Sequence, residues 1–74
     1  MLANPETAKQ ASDLMIGIYR QVEMSLDTVR ETCSSEDFAA YHKALKNVMC
    51  GIVMDVLGPL YRDHPDLKPP GWDQ

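Results

Sequence analysis

Only three residues, Cys33-Ser34-Ser35, separate two long helical repeats, and a link this short sends the second helix back along the first. In the first repeat Ala8, Ala11, Met15, Ile18, Tyr19, Val22, Leu26, Val29 and Cys33 recur at steps of three and four, forming one narrow apolar stripe. Asn4 can cap the helix, Pro5 suits its first position, and Glu6 suits the positive end of the dipole. The pattern predicts a helix from about residue 5 to about residue 32. Its one weak point is Gly17, which costs about 1 kcal/mol against alanine. Ser34 with Asp37 resembles a capping box for the second helix, and Cys33 with Phe38 occupies the positions of a hydrophobic staple.

The second repeat places Phe38, Tyr41, Leu45, Val48, Met49, Ile52, Val56 and Leu60 on one face. Beyond Asn47 the segment becomes apolar around much of its circumference, through Met49, Cys50, Ile52, Val53, Met54, Val56 and Leu57. A helix apolar nearly all round is covered on several sides, and one antiparallel neighbour covers only one. A second surface is therefore expected. Gly58-Pro59 either ends this helix near Leu57 or kinks it, because proline removes a backbone hydrogen bond and clashes with the preceding turn. The kink is favoured, since Leu60 still fits the stripe. Residues 65–74 read as an extended, proline-rich tail with polyproline-II character.

The fold class expected is all-α: an antiparallel hairpin of two long helices, the second kinked or broken near Gly58-Pro59, dimerising into a four-helix bundle. Residues 1–64 form the hairpin domain and residues 65–74 the tail. A chain of 74 residues buries a small fraction of its surface and usually needs a disulfide, a metal or oligomerisation. The two cysteines, Cys33 and Cys50, fit no zinc spacing. Along the hairpin they stand about 22–25 Å apart, beyond disulfide reach. A reducing, cytoplasmic setting follows.

A net charge of −4 with scattered lysines and arginines argues against nucleic acid. The N-terminus has no basic and apolar regions of a signal peptide. The apolar stretch 48–57 is interrupted by Asp55 and is too short for a bilayer, so no membrane association is expected.

Ala44, Gly51 and Gly58 recur every seven residues and suggest a seam where another helix approaches closely. With Ile52, Val53, Asp55 and Val56 they make up the expected interface. The competing readings are that these glycines permit the kink, or that they pack on the first helix of the same chain. Asp55, set among apolar neighbours, is either a buried acid or register-setting contact, or an aspartate at the solvated edge. Trp72 is the single tryptophan, and it either folds back to cover an apolar end, the favoured reading, or hooks another protein through the tail.

His42 and His64 stand in no Glu-x-x-His pattern, and no nucleophile–base grouping is visible. No cofactor, metal or catalytic residue is expected. The function expected is a homodimeric protein–protein interaction or structural module. The alternative is a small-ligand-binding or catalytic bundle in which Asp55, His42, Tyr41 and Arg62 converge at the dimer interface.

Overall fold

In a computed structural model that describes residues 1–72, the first helix, α1 (Pro5–Thr32), opens where Asn4 caps it. The Asn4 carboxamide oxygen accepts from the backbone N–H groups of Glu6 (2.9 Å) and Thr7 (3.1 Å), two of the donors that a helix start leaves unpaired. The second helix begins with α2 (Ser35–Cys50), where Ser34 Oγ accepts from the Asp37 N–H at 3.1 Å. Phe38 lies between two neighbours: the His42 ring stacks on it at 5.7 Å and the Arg30 guanidinium sits 4.8 Å from its centroid. Together these contacts fasten the turn end of the hairpin.

The helix does not stop at Pro59. It passes through a π-helical stretch, Gly51–Leu57, into α3 (Gly58–Asp63), and is bent along its course. The Gly58 N–H donates to the carbonyl of Val53, five residues back. A Cβ on Gly58 would stand 3.2 Å from that same oxygen, so glycine suits the close carbonyl approach of the wide turn. Pro59 then falls in the first turn of α3, where its missing N–H does least harm.

The wide turn also changes which side chains face inward. The stripe expected Ile52, Val56 and Leu60 on one line. In the structure Ile52, Leu57, Leu60 and Tyr61 are buried and Val56 is only half-buried. The step from Ile52 to Leu57 is five residues, the period of the π register rather than that of an α-helix.

The core sits at the end of the hairpin away from the turn. Ala8, Ile52, Leu57, Leu60 and Tyr61 form it, with Ala11, Met15, Ile16, Tyr19, Leu67 and Trp72 packed around them. Ser12 is buried beside them, and its Oγ shares a 2.6 Å hydrogen bond with the Tyr61 hydroxyl. Nearer the turn, Ser25 Oγ and the Tyr41 hydroxyl share one of 2.9 Å. Each bond crosses between the helices and fixes their relative register.

After Asp63 the chain makes a 3-10 turn (Pro65–Leu67) before the extended run. Gly71, at φ +86°, bends the tail so that Trp72 meets the Tyr61 ring edge-on, with centroids 4.9 Å apart. The last two residues of the expected tail, Asp73 and Gln74, lie outside the described residues. At the same end the N-terminal ammonium pairs with the Asp63 carboxylate, and His64 Nε2 meets the Leu2 carbonyl at 2.6 Å. The hydrogen bond and charge of that ammonium hold the Asp63 carboxyl below the usual carboxylate range, and His64 and Arg62 add to the effect.

Among the described residues there is no strand, and the chain is an all-α helical hairpin. It is only one layer of helices thick, measuring 44 × 20 × 15 Å. The radius of gyration is 14.5 Å, against about 11 Å for a rounded chain of this length.

Continuity through Pro59 also lengthens the apolar helix. Ser35–Asp63, taken as one helix of 29 residues, contains an 18-residue stretch of mean hydropathy 1.2 and is long and apolar enough to cross a membrane by length and composition. The stretch 48–57 alone was too short, and the helix is longer than that stretch. Only 22% of that 18-residue stretch is buried within the hairpin.

Candidate functional site

The expected interface residues point in three directions. Ile52 is buried and Val56 half-buried within the hairpin, and Val53 lines a groove between the helices. Ala44 and Asp55 are exposed on the outer side of the second helix, with Gly51 half-exposed between them. A Cβ built on Gly51 meets nothing nearer than Asp55 Oδ2 at 3.8 Å, so α1 does not pack on this glycine. Gly58 answers to the π turn. Of the readings open for the glycines, packing on the first helix is set aside at Gly51, and the structure uses Gly58 in the bend.

Asp55 is exposed, and among the described residues no polar cluster surrounds it. Tyr41 is held by Ser25, His42 lies on Phe38, and Arg62 lines a separate cavity of about 150 Å³ with Tyr61, Lys68 and Trp72. The four groups of the ligand-binding alternative are thus distributed along the hairpin. Among the described residues no three His, Cys, Asp or Glu side chains are grouped closely enough to hold a metal ion. Cys50, expected to be buried, is exposed, as is Cys33, and both thiols are free. Cys50 stands on the groove wall, and a single neighbouring helix leaves that wall open.

The groove is the main concave feature. Its upper part, about 300 Å³, is lined by Tyr19, Met49, Cys50, Val53 and Met54, with His42 and Lys46 at the rim. Its lower part, about 290 Å³, shares Tyr19 and Val53 with the upper and continues over Ile16 and Leu57 to Pro69 and Trp72, with Arg20 and Glu23 at the rim. The two parts meet at Tyr19 and Val53 to make an apolar trough on both helices, and the folded-back tail lines the lower part. Sequence periodicity did not single it out, because Tyr19, Met49 and Val53 read as ordinary members of core stripes. Met54 on the groove wall, and Leu14, Met24 and Val48 elsewhere, remain exposed.

The exposed area gives the trough its weight. The chain exposes 5363 Å², whereas a compact monomer of 8.3 kDa exposes about 4,600 Å². The excess is roughly 800 Å², the area each partner contributes to a standard protein interface.

Comparison with protein-family models, with characterised proteins and with solved structures finds no match to this chain.

Proposed function

We propose that this hairpin is one half of a homodimeric four-helix bundle and serves as a protein–protein interaction or structural module, with the trough as the face that closes. The observation that carries this reading is the single-layer architecture. Stable domains bury an apolar face between two layers, and this chain supplies one. Its excess exposed area matches the share that one partner brings to a stable dimer. The two exposed, free thiols support a reducing compartment, the cytoplasm.

A membrane-spanning role for the second helix is the competing reading. Asp55 weighs against it, because a charged side chain near the middle of a bilayer costs about 2.5–3.5 kcal/mol. The ligand-binding alternative is less well supported, since its polar groups do not converge. The contact of Trp72 with Tyr61 supports the tail as a cover rather than a hook.

Two matched substitutions test which face closes. Cys50 and Ala44 are both exposed on the same helix, one on the trough wall and the other on the outer side. At 100° per residue they face about 120° apart. Cys50→Glu is expected to weaken self-association at least tenfold in sedimentation velocity, and Ala44→Glu to leave it unchanged. The reverse pattern would move the interface to the glycine side. Flotation of the wild-type chain as a monomer with liposomes would favour the membrane reading.

A further inference from the structure

We infer that the upper trough binds a soft monovalent metal ion, copper(I), on the sulfur atoms of Met49, Cys50 and Met54. All three side chains line the upper cavity of about 300 Å³. The Cys50 thiol is free and exposed, Met49 is half-buried and Met54 is 60% exposed, so none of the three is enclosed in the core. Two thioethers and a thiol on one wall are a set of soft donors, and such donors select copper(I) over harder cations.

The bend in the second helix brings these side chains to one cavity. On a straight α-helix Met49 and Met54, five residues apart, would face about 140° apart. The wide stretch that begins at Gly51 turns by less per residue, and both side chains line the same cavity. Cys50 and Met54 stand four residues apart, about 6 Å along the axis, with Met49 next to Cys50. Methionine has three rotatable bonds and adapts to a gap of that size.

Charge chooses the metal. Among the described residues no three His, Cys, Asp or Glu side chains gather as zinc and the harder cations require. His42 lines the same cavity, but it lies eight residues before Cys50, about 12 Å along the helix, and is stacked on Phe38. The donor set is therefore one thiol and two neutral thioethers. As the copper–sulfur bond forms, the Cys50 thiol gives its proton to solvent. The thiolate then cancels the single charge of the ion. Copper enters and stays as copper(I), so no electron is transferred. A neutral complex suits an apolar wall, on which a divalent ion would leave uncompensated charge. All three donors come from one helix, so the site is complete within one chain.

The experiment is a titration of the full chain with copper(I), kept reduced by ascorbate without oxygen, against the coloured chelator bicinchoninate. Wild type is expected to take one copper(I) per chain. Cys33→Ser removes the other thiol and is expected to bind as wild type does. Cys50→Ser is expected to weaken binding at least about a hundredfold, beyond what loss of a merely supporting group costs. Met49→Leu combined with Met54→Leu keeps the apolar volume and removes both thioethers. This pair is expected to weaken binding at least about tenfold. Circular dichroism of each variant verifies the hairpin. A leucine pair that binds as wild type does would reduce the site to a single thiol and overturn the inference. Unchanged binding by Cys50→Ser, loss of binding in Cys33→Ser, or a wild-type chain that takes no copper(I) from the chelator would overturn it as well. Sedimentation of the metal-free chain reads the homodimer separately, so the two readings stand or fall apart from each other.

Discussion

Leu60→Ala is expected to lower the unfolding free energy by about 2–5 kcal/mol, the usual cost of deleting a buried leucine and leaving a cavity. Leu60 is fully buried in a core of five apolar residues, where Ala8, Ile52, Leu57 and Tyr61 are its companions. A loss of this size is a large share of the roughly 5–15 kcal/mol that stabilises a typical domain. Urea titration at one fixed protein concentration measures it, because dimerisation makes the midpoint concentration-dependent. Leu14→Ala is the control. Leu14 is 58% exposed and lies away from the core, so its removal should change stability by about 0.5 kcal/mol or less. If Leu60→Ala proved as mild as Leu14→Ala, the core would lie elsewhere.

Trp72→Ala is expected to cost about 2 kcal/mol, less than a fully buried tryptophan because the ring is half-covered. The ring meets Tyr61 edge-on and lines the lower part of the trough. Its indole N–H is buried with no hydrogen-bond partner among the described residues. An unmet donor lowers what the ring contributes. Trp72→Phe keeps an aromatic edge without that donor and should stay within about 1 kcal/mol of wild type. Trp72 is the only tryptophan, so fluorescence reports on it alone. The native emission should be blue-shifted and protected from quenchers, and should shift red on unfolding. Solvent-like emission from the native protein, with Trp72→Ala neutral, would free the tail for another role.

These positions also show what was readable in advance. The limits of α1 were legible because Asn4-Pro5 marks its start and the Cys33-Ser34-Ser35 link marks its end, both through local backbone chemistry. Continuation through Pro59 was favoured because Leu60 fits the stripe. The π turn was not legible. It depends on a carbonyl of Val53 reaching the N–H of Gly58, and that register shift replaces Val56 by Leu57 in the core.

Ser12 stands four residues after Ala8 on the same stripe, but a polar residue gives no apolar signal there. Its partner, Tyr61, lies 49 residues away, and only the folded hairpin brings the two hydroxyls together. The interface residues named from the heptad of small residues depended on a straight helix wheel. The structure instead distributes them among the core, the trough and the open outer side. The trough itself is a property of two helices at once, and no single periodicity contains it.

Sedimentation equilibrium of the intact chain, in reductant and over the micromolar range, tests most directly whether the hairpin is half of a bundle. A single layer of helices with an open apolar trough predicts a species of twice the 8.3 kDa chain mass, unaffected by reductant because both thiols are free. A stable monomer across that range would contradict it.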